Sequence, residues 1–79
     1  MSNLDFAGDR TSPDTFLMLG IACASSAEPD RVSAHKWFNL AATQGNLEAA
    51  RCRQELALEM SPAEVFAAQR AAREWMRKH

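Results

Sequence analysis

Apolar residues recur at helical spacing along most of this chain, and helix-capping signals divide it into four segments. The first segment begins at Ser12-Pro13, a capping serine followed by proline at the first helical position, and runs to about Ser26. The second begins after Asp30, which can cap it, and ends at Gly45, which can turn the chain out of the helix. Both segments are therefore predicted to be helices.

Two further helices are predicted after Gly45. Asn46 can cap a third helix from Leu47 to about Glu59, and a capping box at Ser61 begins the fourth. The short connections favour antiparallel packing of sequential helices. The inward-facing positions predicted for the first, second and fourth helices are Phe16, Leu19, Gly20, Cys23, Ala34, Trp37, Phe38, Ala41, Val65, Ala68, Ala72 and Trp75.

The composition supports an all-α protein. Fifteen of the 79 residues are alanine and only six are β-branched, a balance that disfavours a sheet. The length allows one small domain, which we place at residues 12–79, and residues 1–11 are expected to form a flexible arm. With a net charge of −1 and no polybasic run, the sequence does not have the charge pattern of a nucleic-acid-binding protein.

The sequence predicts a cytoplasmic protein. Its first ten residues carry acids and no apolar core of a secretory signal, and no apolar run is long enough to span a membrane. Cys23 and Cys52 are far apart and not in a CxxC pair. A disulfide between them is one alternative. Buried free thiols are the favoured interpretation.

The two halves of the chain match weakly, and the first half carries a known pattern. A 31-residue offset places Asp30 over Ser61 and Ala41 over Ala72. Over residues 15–56 the chain resembles a Sel1-like repeat of the tetratricopeptide superfamily. The residues that carry the resemblance are Leu19, Gly20, Asp30, Ala34, Trp37, Ala41, Ala42, Gly45 and Ala49.

The resemblance implies two stacked antiparallel helical hairpins, a full repeat at residues 12–45 and a degenerate capping hairpin at 46–79. The family's tyrosine after Leu-Gly is Cys23 here, and the second hairpin has Arg53-Gln54 where Leu-Gly is expected. The closing segment from Glu59 to Trp75 resembles the tail of small bacterial Sel1-repeat proteins. In this family the fold holds other proteins together, so a non-catalytic scaffold or adaptor is implied.

Neither catalysis nor a metal or cofactor site is predicted. His35 is expected to point into solvent and His79 to be disordered, which leaves Cys23 and Cys52 without a base. The cysteines and histidines do not have zinc-ligand spacing. The basic residues of the fourth helix alternate with acids and are interpreted as a solvated outer face; they are Arg70, Arg73, Arg77 and Lys78.

A protein or peptide partner is the better candidate, on the face formed by the first and third helices. Apolar residues there would be left in water on an isolated domain, and acids surround them. Such a face suits an amphipathic helix or an extended peptide with basic flanks. The alternatives are packing against the N-terminal arm and self-association as a homodimer that completes a short solenoid. The predicted partner-binding residues are Asp14, Leu17, Ile21, Ser25, Glu48, Arg51, Glu55, Leu58 and Glu59.

Overall fold

The computed structural model describes residues 12–79, and over this range the chain is all-α with four helices, as predicted. The helices are α1 (Pro13–Ser25), α2 (Arg31–Thr43), α3 (Leu47–Ala57) and α4 (Pro62–Lys78). The flexible arm predicted at residues 1–11 lies outside the described residues. None of the described helices is long and apolar enough to cross a membrane.

Each helix begins directly after the predicted capping residue. The side chain of the cap accepts a hydrogen bond from a backbone N–H in the first turn, which satisfies one of the donors that a helix leaves unpaired. Ser61 forms the complete capping box, since Glu64 returns a hydrogen bond to the Ser61 N–H at 2.8 Å. The caps are Ser12, Asp30, Asn46 and Ser61.

Gly45 has the role predicted for it. Its φ of +98° lies in the left-handed region, and it is the only residue in the described range with a positive φ. Other residues reach this region at a cost, so glycine lets the chain leave α2 and enter α3 within three residues.

Helix α2 is the centre of the fold, because α1, α3 and α4 all pack on it. Contacts between helix ends show that both neighbours along the chain run antiparallel to α2. Arg31 at the start of α2 pairs with Glu59 just past the end of α3, at 3.5 Å. Asn46 after α2 lies 3.5 Å from Asp14 at the start of α1. Helix α4 packs on α2 and makes little or no contact with α3, so sequential packing does not extend to the last pair.

The core combines small residues with an aromatic cluster. Ala34, Ala41 and Ala49 are fully buried, and this allows the backbones of α2 and its neighbours to approach closely. Phe16, Trp37 and Trp75 bring α1, α2 and α4 together, with ring centroids 5.2 to 6.1 Å apart. One pair is stacked and two are edge-to-face, which are the favourable arrangements for aromatic rings. Ala68 and Ala72 are buried on α4, as predicted.

Three predictions about side chains outside the predicted partner-binding set are wrong. His35 is buried, with 3% of its surface exposed, because α2 is covered on more than one side. Leu19 was placed on the inner stripe, but it is 39% exposed at the edge of α1. His79 was expected to be disordered, whereas its ring stacks on Trp75 with centroids 4.1 Å apart.

Candidate functional site

A groove runs between α1 and α3 on the face that the sequence indicates for a partner. Helix α1 supplies one wall and α3 the other, while a side chain of α2 closes the bottom. The groove has a volume of about 260 Å³. We call it the α1–α3 groove, and its lining residues are Ile21, Ala24, Ser25, Phe38, Cys52, Glu55, Leu56 and Glu59.

The floor of the groove is held in place by the contact between α1 and α2. Phe38 is 3% exposed, and its ring lies against Gly20, so close that a Cβ on Gly20 would come within 2.5 Å of it. The missing side chain of Gly20 therefore lets α1 approach α2 and leaves Phe38 beneath the gap between α1 and α3. A packed aromatic ring gives the floor a fixed shape.

The groove is apolar inside. Ile21 on the α1 wall is 45% exposed, and Leu56 on the α3 wall is half-buried against the core. Apolar surface left in water costs about 25 cal/mol per Å², so covering this wall is favourable. The groove therefore offers apolar area to an occupant.

Two acidic residues, Glu55 and Glu59, line the rim on the α3 side, and Glu48 continues their row beyond the groove. Glu48, Glu55 and Glu59 share one face of α3 and the turn after it, and Cys52 lies among them, with successive spacings of four, three and four residues. Burial raises the pKa of the Cys52 thiol, and the negative charges of Glu48 and Glu55 raise it further. We call these three glutamates the acidic row. Glu59 also pairs with Arg31, whereas Glu48 and Glu55 form no ion pair with other described residues, so the acidic row keeps unpaired negative charge that favours a cationic occupant.

The structure brings four of the nine predicted partner-binding residues together in the groove, namely Ile21, Ser25, Glu55 and Glu59. The other five lie elsewhere. Leu17 is half-buried and packs against the core, so its predicted exposure is wrong. The remaining four are exposed but do not line the groove: Asp14, Glu48, Arg51 and Leu58.

Sequence reasoning missed the bottom of the site. Phe38, Cys52 and Leu56 line the groove, whereas the sequence predicts Phe38 as a core residue and indicates no partner contact for Cys52 or Leu56. One signal was present, because Cys52 occupies the same helical face as Glu48, Glu55 and Glu59. No pattern in the sequence places Phe38 of α2 between α1 and α3.

A polar contact ties α3 to α2 beside the groove. Arg53 on α3 donates a hydrogen bond to Asn39 Oδ1 at 2.6 Å. One turn earlier on α2, the buried His35 ring has an Nδ1 without a hydrogen-bond partner among the described residues. Burial lowers the pKa of His35, and the positive charge of Arg53 lowers it further. The ring is therefore neutral at pH 7.

The described residues contain no group of three or more histidine, cysteine, aspartate or glutamate side chains placed to hold a metal ion. Cys23 and Cys52 are both free, and each is half-buried rather than fully buried.

Comparison of the chain with models of protein families, with curated proteins and with solved structures found no match.

Proposed function

We propose that this protein is a non-catalytic protein–protein interaction module that binds a basic amphipathic helix of a partner in the α1–α3 groove. The observation that carries the proposal is the combination of an apolar groove with a row of acidic residues beside it. An apolar groove with Phe38 at its floor and Ile21 exposed on its wall is bordered by the acidic row. An amphipathic helix in a groove is a common mode of peptide recognition.

The apolar wall would supply affinity. Ile21 and Ala24 on one side and Leu56 on the other face an occupant that inserts one or two large apolar side chains. Burying a leucine- or phenylalanine-sized side chain contributes about 1.5–3 kcal/mol. The loss of translational and rotational freedom on association costs about 4–15 kcal/mol, so these side chains would act together with the rest of the contact surface.

The acidic row would supply orientation and selectivity. A partner helix that carries arginine or lysine beside its apolar residues would place them against Glu55 and Glu59. Because these pairs would lie at a solvent-exposed rim, they would speed association and discriminate against acidic helices more than they would add affinity. Binding would weaken as salt is added.

The groove is preorganised for such a role. Its floor is fixed by the Gly20–Phe38 contact, and its α3 wall is held to α2 by the hydrogen bond from Arg53 to Asn39. A rigid platform does not lose much conformational freedom on binding, so the partner would bear most of the ordering cost.

The resemblance to Sel1-like repeats supports an adaptor role. Buried Ala34, Ala41 and Ala49 and the close contact at Gly20 occupy positions where that pattern has small residues. In this interpretation α1 and α2 are the full repeat, and α3 and α4 are a degenerate cap whose two helices have separated. The groove then lies on the face formed by the first helix of each hairpin.

Fluorescence anisotropy with a labelled synthetic peptide tests the proposal. The peptide is a helix with one phenylalanine and three arginines on a single face, and a control peptide has glutamates in place of the arginines. We expect saturable binding of the basic peptide only.

Two matched variants test the site itself. Ile21→Glu changes a groove residue, and Leu58→Glu makes the same change at a leucine that is 87% exposed and outside the groove. We expect Ile21→Glu to weaken binding at least tenfold, about 1.4 kcal/mol, and Leu58→Glu to leave it within about twofold. Equal effects of the two variants, or equal binding of both peptides, would contradict the proposal.

A further inference from the structure

The outward face of α4 has the chemistry that the α1–α3 groove is expected to bind. Phe66 is 57% exposed, and three arginines follow it at spacings of four, three and four residues, which places all four side chains on one face. This face lies opposite Ala68 and Ala72, which are buried. We call it the arginine row, and its residues are Phe66, Arg70, Arg73 and Arg77.

The spacing of the arginine row equals that of the groove's acidic side. Glu48, Cys52, Glu55 and Glu59 also follow one another at four, three and four residues. A helix aligned with α3 in the same direction, with Phe66 beside Cys52 in the groove, would place Arg73 beside Glu59, since each lies seven residues further along its helix. Arg70 would lie within one residue of Glu55, so two arginines would face two glutamates.

The arginine row is available for such a contact. Arg70 and Arg73 are exposed and form no ion pair with other described residues, and Arg77 pairs with Glu74 of its own helix at 2.8 Å. An exposed aromatic residue at the end of a row of cations is costly on an isolated helix and favourable against an apolar groove.

We propose that the α1–α3 groove binds α4 of a second copy of this chain. The proposal rests on the groove being a helix-binding site and names the helix. The occupant would insert Phe66 along the apolar wall that contains Ile21, while Arg70 and Arg73 meet Glu55 and Glu59. Because the groove and α4 are different surfaces of one molecule, the contact joins unlike faces. A closed dimer forms if each of two copies places its α4 in the groove of the other. A longer assembly forms if each copy's α4 docks in the groove of a further copy.

Charge reversal on the full-length chain tests this pairing. One variant carries Glu55→Arg and Glu59→Arg in the groove, and a second carries Arg70→Glu and Arg73→Glu on α4. All four positions are exposed, so both variants are expected to keep the helix content and melting temperature of the wild-type chain. Circular dichroism checks this before association is measured.

Sedimentation velocity at low salt then measures association over a wide range of protein concentration. We expect the wild-type chain to associate and each variant alone to stay monomeric, because its groove and its α4 carry like charges. An equal mixture of the two variants restores opposite charges at both contacts and is expected to associate again. A single chain with all four reversals is expected to do the same.

Three results would overturn the proposal: a wild-type chain that stays monomeric at all concentrations, variants that associate as the wild type does, and a mixture that stays monomeric. The peptide experiment separates this proposal from the proposed function. A chain that binds the basic peptide in its groove but never associates overturns self-recognition alone. A chain that neither binds the peptide nor associates overturns both.

Discussion

Gly20 on α1 lies against the ring of Phe38 on α2, and a Cβ built on Gly20 would be 2.5 Å from two ring carbons of Phe38. This contact sets the distance between the two helices and forms the floor of the α1–α3 groove. A glycine inside a helix normally costs about 0.5–1 kcal/mol relative to alanine. The contact with the Phe38 ring explains why a glycine stands in the middle of α1.

We therefore expect Gly20→Ala to destabilise the protein, although alanine is the better helix former. Overpacking a core costs about 1–3 kcal/mol, so the net loss in free energy of unfolding should be about 1–2 kcal/mol. Urea denaturation measures it. Ala22→Gly, at an exposed position of the same helix, is the control and should cost only the helix-propensity difference of about 1 kcal/mol. A stabilised Gly20→Ala protein would show that Phe38 does not hold α1 and α2 at this distance.

Trp37 should be among the most costly side chains to remove. It is half-buried and touches Phe16 and Trp75, so it links three helices; truncating a fully buried aromatic costs about 3–5 kcal/mol, and we expect a loss near the lower end of that range. A domain of this size has a total stability of about 5 kcal/mol, so Trp37→Ala should keep about 2 kcal/mol or less and unfold at a much lower temperature. Far-ultraviolet circular dichroism checks this. Met18→Ala, at a residue that is 64% exposed, should remain folded with nearly unchanged stability.

The stability of the protein should fall as the pH drops below the ordinary pKa of histidine, near 6.5. Burial and the charge of Arg53 lower the pKa of His35 in the folded state, so the unfolded state binds a proton first. The contribution of the neutral His35 ring to the free energy of unfolding is therefore complete above pH 6.5. It is lost as the pH falls towards the lower folded-state pKa. The loss is at most about 1.4 kcal/mol per pH unit, the value for one proton.

Urea denaturation at several pH values between 5 and 7.5 measures this slope, a range chosen to span the histidine titration of about pH 6.5. His35→Leu keeps a similar volume, and it removes a ring nitrogen that has no hydrogen-bond partner among the described residues. Its stability should not change with pH over the upper part of this range. A wild-type protein with a flat profile would mean that His35 is as easily protonated in the folded state as in the unfolded chain.

Leu17 and Ile21 occupy neighbouring turns of α1 and should respond differently to the same substitution. Leu17 is half-buried and packs against the core, whereas Ile21 is 45% exposed on the groove wall. Leu17→Glu should therefore lower the stability by about 1–3 kcal/mol through burial of a carboxylate, and Ile21→Glu should leave it within about 0.5 kcal/mol. Thermal melts of the two variants decide this. A larger loss from Ile21→Glu would place that side chain in the core rather than on a binding surface.

The local structure of this protein is well predicted by its sequence, because it depends on a few residues at a time. The cap at Ser12, the capping box at Ser61 and the left-handed turn at Gly45 each follow from residues within four positions of one another. The burial of Ala34 and Ala41 follows from helical periodicity in the same way.

The misplaced side chains follow from tertiary packing that periodicity does not describe. Periodicity assigns one buried stripe to each helix, but α2 is covered by three others, so a polar residue beside the stripe, His35, is buried as well. The packing of α4 on α2 rather than on α3 also depends on how the helices assemble, which the periodicity of a single helix does not describe. Only the assembled helices show that Phe38 lies beneath the gap between α1 and α3.

The central claim is that the α1–α3 groove receives a basic amphipathic helix, and the most direct test is a nuclear magnetic resonance titration. The isotope-labelled full-length chain is titrated with the basic peptide, and backbone amide shifts are followed. We predict saturable shifts that cluster at Ile21, Ala24, Cys52 and Leu56, with Gln54 on the opposite side of α3 unaffected. Saturable shifts that centre on other surfaces, or no shifts at saturating peptide, would contradict the claim.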